Sequence, residues 1–144
     1  MISIHSSNSD GESFNKFLER VMTTYKLSTQ ALSKMSNSSE DMILDLLNGT
    51  VDETKYSQVV ILEFQQFIVL LSVGFESVQS NERVQGVIEH LIHNLNFSVD
   101  SLALFSKLET QDIYHFLENP DSISFEKRYK LATTTLFLHY ISKP

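Results

Sequence analysis

Residues 27–49 read LSTQALSKMSNSSEDMILDLLNG, and this stretch decides the fold. Ser28 can cap a short helix, because a serine side chain accepts a hydrogen bond from the first free backbone N–H groups of a helix. A polar break follows, in which Ser38 and Asp41 have the spacing of a capping box and predict the start of a second helix. Gly49 ends that helix, since glycine readily adopts left-handed backbone. The apolar positions carried by the two helices are Ala31, Leu32, Met42, Ile43, Leu46 and Leu47.

Helical periodicity extends over most of the chain. Apolar residues recur at spacings of three and four, as one face of a helix requires. Four Gly and two Pro in 144 residues are too few for the turns of a β-sandwich. The pattern predicts an all-α fold of about eight helices, with a long helix over residues 52–72 and looser chain over residues 74–80. The last helix is predicted to begin near Ser124 and to carry an apolar stripe of Phe125, Tyr129, Ala132, Leu136 and Tyr140.

The long helix holds the most apolar stretch of the chain, Val59–Phe75. Glu63, Gln65 and Gln66 lie inside this stretch, which is shorter than the roughly 20 apolar residues that a membrane span needs. A helix that is apolar around most of its circumference is central or lies at an interface. We therefore expect a buried core helix without membrane contact, and a homodimer is plausible if the helix also faces another subunit.

Residues 27–49 resemble the helix-turn-helix of the lambda-repressor-like (Xre/Cro) family. Leu32-Ser33 stands where the family has an apolar residue followed by a small one, which lets the two helices cross closely. Ser39 opens the second helix, and Ile43 lies at the family's buried spacing. Asn37 stands where the family usually has Gly in the turn, and asparagine tolerates the same left-handed geometry. The resemblance covers about residues 13–72, with a fainter echo at 83–140, and implies a helix-turn-helix fold.

The resemblance also implies which residues face a target. In the family the second helix lies in the major groove of DNA, and its early residues read base edges. Three of the five matching positions are acidic, and residues 38–47 contain no Lys or Arg. The five DNA- or partner-facing positions are Thr29, Ser39, Glu40, Asp41 and Asp45.

The two halves of the chain repeat one pattern at an offset of 70 residues. This offset places Ser28 on Ser98 and Ile43 on Ile113, for example. Because helix boundaries, caps and apolar positions agree at one offset, the sequence predicts an internal duplication. The predicted organisation is a flexible N-terminal tail (1–11), a helix-turn-helix-like half with a long helix (12–74) and a degenerate helix-turn-helix-like half (75–144), packed around long central helices.

The charge balance opposes avid non-specific binding to nucleic acid. The chain has 18 Asp and Glu against 11 Lys and Arg, a formal net charge of −7, and an acidic surface repels phosphate. Residues 109–118 of the second half also contain three acids and no Lys or Arg. Two groups of basic residues could touch a phosphate backbone, but we interpret both as solvated surface charges. The first group is Lys16 with Arg20, and the second is Lys127 with Arg128 and Lys130.

Two hypotheses of different class follow. The first is a small helix-turn-helix regulator of transcription that contacts DNA through the five positions named above. The second is a non-catalytic protein–protein interaction module that reuses the fold and whose acidic helices meet a basic protein partner. The family resemblance favours the first hypothesis, and the charge of the second helix favours the other.

Signatures of catalysis and of cofactor binding are missing. Gly occurs only at positions 11, 49, 74 and 86, so the chain holds no nucleophile elbow, P-loop or dinucleotide fingerprint. His90 and His93 are spaced to meet one metal ion, but the sequence sets no third ligand. We therefore expect no enzyme activity, no cofactor and no metal site. The N-terminus lacks the basic and apolar segments of a signal peptide, and the expected location is cytoplasmic.

Overall fold

The computed structural model describes residues 12–142. These residues form eight α-helices and one short 3-10 helix and contain no β-strand, which confirms the all-α class. The chain divides into two compact units, Met1–Glu76 and Ser77–Pro144. The boundary drawn from the sequence lies two residues earlier, after residue 74. The tail expected over residues 1–11 lies outside the described residues.

Four helices build the first unit. They are α1 (Phe14–Tyr25), α2 (Thr29–Ser36), α3 (Glu40–Asn48) and α4 (Gln58–Glu76). Helix α1 packs on α3 and α4, and α2 packs on α3. The core between them is formed by Leu18, Val21, Leu32, Met42, Ile43, Leu46, Phe64 and Ile68.

Four further α-helices build the second unit. They are α5 (Ser80–His93), α6 (Val99–Ser106), α7 (Thr110–Glu118) and α8 (Phe125–Ile141), and the 3-10 helix Pro120–Ser122 lies between α7 and α8. Helix α8 packs on α5, α6 and α7. The core of this unit is formed by Ile88, Leu91, Leu102, Ala103, Ile113, Phe116, Ile123, Leu131 and Leu138.

The short helices of the two units have matching bounds. Both ends of α2 and α3 recur in α6 and α7 at an offset of 70 residues. Ser28 caps α2 by accepting a 3.0 Å hydrogen bond from the Ala31 amide, and Ser98 caps α6 by accepting one of 3.0 Å from the Ser101 amide. Among the described residues, the non-glycine residues with positive φ fall at the same offset, in the pairs Lys26 with Asn96 and Asn37 with Lys107.

Helix α4 differs from the predicted long helix at both ends. It begins at Gln58 rather than at residue 52, because the Asp52 carboxylate accepts hydrogen bonds from the Thr54 amide (2.8 Å) and hydroxyl (2.6 Å) and holds a turn. It continues through Gly74 to Glu76, where looser chain was expected. A single glycine costs a helix only about 1 kcal/mol, so it need not end one.

The prediction that Val59–Phe75 is a buried core helix is wrong for most of its surface. Within residues 12–142, α4 is the one helix that is long and apolar enough to span a membrane by length and composition, and 17% of that apolar window is buried. Periodicity does not separate a core face from an apolar face that stays exposed. The buried residues of α4 are Phe64, Ile68 and Ser72.

The apolar stripe predicted for the last helix is also wrong. Phe125, Tyr129, Leu136 and Tyr140 are between 51% and 75% exposed. The core-facing side of α8 is instead smaller and partly polar, and its buried residues are Leu131, Thr135 and Leu138. Thr135 is accommodated there because its hydroxyl donates a 2.8 Å hydrogen bond to the Leu131 carbonyl of the preceding turn.

Candidate nucleic-acid interface

The turn between α2 and α3 is built from short polar residues. Asn37 adopts left-handed backbone with φ 55°. The Ser38 amide donates to the Ser33 carbonyl (3.2 Å), and the Ser33 hydroxyl donates to the Ser38 carbonyl (2.6 Å). Because Ser38 closes α2 in this way, the capping box predicted for it is wrong. Ser39 caps α3 instead, accepting a 3.2 Å hydrogen bond from the Met42 amide.

Two buried side chains hold α2 and α3 together. Leu32 and Ile43 are both 0% exposed, as the sequence predicts for the contacts between the two helices. Their burial turns the opposite side of α3 towards solvent. The exposed residues of this outer face of α3 are Glu40, Asp41, Leu44 and Asn48.

The five positions predicted to face a target differ in their surroundings. Glu40 and Asp41 are exposed on the first turn of α3, and Ser39 is exposed while its hydroxyl caps the helix. Thr29 is half-buried at the first residue of α2. The two acids also favour the helix itself, because a negative charge near a helix N-terminus stabilises it by about 0.3–1 kcal/mol.

Asp45 makes contacts that the sequence analysis did not anticipate. It is half-buried, and its Oδ2 accepts a 2.8 Å hydrogen bond from the Tyr56 hydroxyl and lies 3.5 Å from Lys55 Nζ. The same ammonium lies 5.1 Å from the centre of the Tyr56 ring. The hydrogen bond with Tyr56 and the Asp45 charge raise the pKa of Lys55. Asp45 is therefore partly neutralised within its own unit.

Sequence reasoning missed two members of the outer face of α3. Leu44 and Asn48 follow Glu40 at steps of four residues, so helical spacing alone could have placed them on one face. Leu44 is 44% exposed and puts an apolar side chain between the polar ones. The pairing of Asp45 with Tyr56 had no comparable signal, because the two residues are 11 apart and an irregular segment separates them.

Two of the three acids in residues 109–118 make contacts within the second unit. Glu109 and Asp112 form a reciprocal capping box at the start of α7. Asp112 is 8% exposed, and its Oδ1 lies 2.9 Å from Lys127 Nζ. The exposed residues within α7 are Gln111, Tyr114, His115 and Glu118, and the exposed N-cap Glu109 adds a second carboxylate that is held in the capping box.

The basic groups that could touch a phosphate backbone are largely paired with acids. Lys127 bonds Asp112 as described, Arg128 lies 3.4 Å from Asp121, and Lys130 lies 3.5 Å from Glu126. In the first unit, Arg20 lies 3.3 Å from Glu12 and 3.9 Å from Glu76. These contacts reduce the positive charge that either group offers to DNA.

The histidines do not form a multi-ligand cluster. Over residues 12–142 there is no group of three or more His, Asp or Glu side chains placed to hold a metal ion. His90 and His93 are exposed on α5, and the His90 ring packs edge-on against His139 with ring centres 5.4 Å apart.

The comparisons with known proteins agree with this geometry. A family model described as a helix-turn-helix domain matches residues 9–144. Comparison with curated proteins and with solved structures finds no match. Since the family model spans nearly the whole sequence, the chain belongs to this helix-turn-helix domain family.

Proposed function

We propose that the protein is a non-catalytic, DNA-binding regulator of the Xre/Cro type. The observation that carries the proposal is the geometry of the pair α2–α3. The chain turns at the left-handed Asn37, and Leu32 and Ile43 are buried in one core cluster. The outer face of α3 is therefore exposed to solvent. In a helix-turn-helix the second helix enters the major groove, and its exposed side chains meet base edges. Membership of the helix-turn-helix family supports this reading.

In the first unit, the proposed target-facing positions are the five drawn from the sequence, together with Leu44 and Asn48. Glu40 and Asp41 would accept hydrogen bonds from cytosine amino groups. Their charges also oppose the phosphate field, so contact through α3 alone would be weak.

We also propose that the second unit is a duplicated helix-turn-helix whose α7 contacts DNA. The shared bounds of the short helices and the paired positive-φ residues support the duplication. The outer face of α7 supports the contact, because Gln111 can form two hydrogen bonds with adenine and Tyr114 and His115 offer further polar atoms. Glu109 is held in the capping box and Glu118 lies at the last residue of α7, so α7 suits a phosphate-rich groove better than α3, whose first turn exposes Glu40 and Asp41.

Binding to mixed genomic DNA fragments tests the proposal. We expect binding at about 10 mM salt that weakens towards about 100 mM salt, with a shallow slope because the candidate basic groups are largely paired with acids. Gln111→Ala combined with Tyr114→Ala should weaken binding by about tenfold or more, in line with 1–3 kcal/mol for a good base contact. Tyr129→Ala, which removes a similarly exposed tyrosine from α8, is the matched control. Absence of binding at both salt concentrations would overturn the proposal.

One observation favours a protein partner as a second candidate function. Leu104 and Phe105 on α6 are 80% and 59% exposed, and Tyr114 on α7 is 52% exposed. Apolar and aromatic side chains are enriched at the centres of protein–protein interfaces, whereas a DNA-binding surface is polar and cationic. A partner of the second unit would bury these side chains, and a basic partner of the first unit would pair with Glu40 and Asp41.

A further inference from the structure

The exposed side of α4 carries a stripe whose chemistry reads the same in both directions. Valine, leucine, glutamine, leucine and valine follow at steps of three, four, four and three residues. At 3.6 residues per turn, all five lie within an arc of roughly 80° on one side of the helix. This α4 stripe consists of Val59, Leu62, Gln66, Leu70 and Val73.

The α4 stripe is exposed although most of it is apolar. Val59 is 64% exposed, Leu62 48%, Leu70 71% and Val73 46%. The buried residues of α4, Phe64 and its neighbours towards the core, lie on a different face. The four aliphatic side chains together expose roughly 400 Å² of apolar surface, within the range of about 300–600 Å² for the largest patch on a typical monomer, which is often functional.

We propose that the α4 stripe is a homodimer interface in which α4 of one copy packs antiparallel on α4 of a second copy. Two copies related by a two-fold axis must use the same patch on both sides. With the axis at Gln66, an antiparallel pair brings Val59 level with Val73 of the second copy and Leu62 level with Leu70 of the second copy. The palindromic order therefore matches valine with valine and leucine with leucine at every level of the seam.

Gln66 explains why one register is preferred. At the two-fold axis its side-chain amide meets the same amide of the second copy, and each can donate an N–H to the carbonyl oxygen of the other. In any shifted register, each amide would face an aliphatic side chain and lose a partner. A single polar residue in an apolar helix seam is a well-attested device for setting register.

The available area fits a dimer that dissociates on dilution. With Gln66 and the flanking side chains, each copy would bury roughly 600 Å², so the pair reaches about 1,200 Å², the lower end for a specific interface. The interface does not depend on DNA binding, and its failure would leave the proposed function untouched.

Sedimentation equilibrium over a range of protein concentrations tests the dimer. The wild type should shift from the monomer mass of 16.5 kDa towards twice that mass as the concentration rises. Leu70→Lys should weaken the dimer at least tenfold, because it places two ammonium groups in the seam, while the circular dichroism spectrum stays unchanged since Leu70 is exposed. Leu136→Lys, an equally drastic change at a 51% exposed leucine of α8, should have no effect. A wild type that stays monomeric, or equal weakening by both variants, would overturn the proposal.

Cysteine cross-linking tests the antiparallel register. The chain has no Cys, so each introduced thiol is unique. Gln66→Cys should form an interchain disulfide on mild oxidation. Val59→Cys alone should not, because the two copies of residue 59 would lie about 20 Å apart along the seam. A mixture of Val59→Cys and Val73→Cys should cross-link. Cross-linking of Val59→Cys with itself would overturn the antiparallel arrangement.

Flotation with phosphatidylcholine–phosphatidylglycerol vesicles tests the other possible occupant of the stripe. We expect the wild type to stay in the aqueous fraction. Flotation that Leu70→Lys abolishes would show that lipid covers the stripe and would overturn the dimer.

Discussion

Asp112 and Lys127 link α7 to α8 through a short ion pair, with 2.9 Å between Oδ1 and Nζ. The other carboxylate oxygen of Asp112 accepts a 3.1 Å hydrogen bond from the Glu109 amide. The hydrogen bond from Lys127 is the main cause that lowers the pKa of Asp112; burial opposes the shift, and the Glu109 amide adds to it. The folded second unit therefore favours the charged form of the Asp112 carboxylate.

This pair predicts acid sensitivity of the second unit. A lowered native pKa means that the stabilisation is present above the unfolded value of about 3.9 and is lost as the pH falls below it towards the native pKa. Asp112→Asn should lower the free energy of unfolding by about 1–2 kcal/mol at pH 7, and the difference from wild type should shrink at pH 3. Urea unfolding at both pH values measures this. Glu89→Gln, at an exposed acid of α5, is the control, and an Asp112→Asn effect of the same size at both pH values would contradict the prediction.

Neighbouring residues of α3 should differ sharply in their contribution to stability. Ile43 is 0% exposed, so Ile43→Ala leaves a cavity and should cost about 2–4 kcal/mol. Leu44 is 44% exposed, so Leu44→Ala should cost less than about 1 kcal/mol. Chemical denaturation of both variants tests the face assigned to α3. Similar losses in the two variants would show that the assignment is wrong.

Neutralising the first turn of α3 should distinguish the two functions by the sign of its effect. Glu40→Gln with Asp41→Asn should tighten DNA binding, and more so at low salt, since the Debye length grows from about 10 Å at 0.1 M to about 30 Å at 0.01 M. The same change should weaken a complex with a basic protein, chiefly by slowing association. Glu19→Gln with Glu89→Gln changes the net charge equally outside α3 and is the control. No effect on either ligand would mean that α3 is not the binding surface.

Two glycines should respond in opposite directions to alanine. Gly49 has φ 69° at the end of α3, so Gly49→Ala should lower the free energy of unfolding by about 1 kcal/mol. Gly86 lies within α5, and an added methyl group would meet no atom of the described residues within 4 Å beyond its own helix backbone. Gly86→Ala should therefore raise the free energy of unfolding by about 0.5–1 kcal/mol. Thermal unfolding of the two variants measures both, and destabilisation by Gly86→Ala would contradict the assigned helix.

The short helices were predictable because their end signals are local. Ser28 and Gly49 each act within a few residues of themselves, and both lie at helix ends in the structure. The capping of α3 was harder, since neighbouring serines compete for one role and the hydrogen bonds of Ser38 with Ser33 decide it. The start of α4 was also harder to predict, because the side chain of Asp52 accepts a hydrogen bond from the Thr54 amide and favours a turn over a helix.

The faces of the long helices were less predictable. Hydrophobic periodicity locates an apolar side, but on α8 the large aromatic side chains lie on the exposed side, and Leu131 and Thr135 lie in the core. Five positions were proposed to face a target, but the contact of Asp45 with Tyr56 depends on an irregular segment that sequence patterns do not describe. The exposure of Leu44 could have been predicted, because the buried Ile43 shows which side of α3 faces the core.

The four non-glycine residues with left-handed backbone have a practical consequence for engineering. Lys26, Asn37, Asn96 and Lys107 hold a conformation that glycine adopts without strain. Glycine at each of them should relieve about 0.5–1 kcal/mol of strain, most at the two lysines, because asparagine tolerates this geometry better. Since the positions are shared between the units, all four changes together should raise the melting temperature by several degrees. The thermal stability of the chain could thus be raised without changing any residue on a helix face.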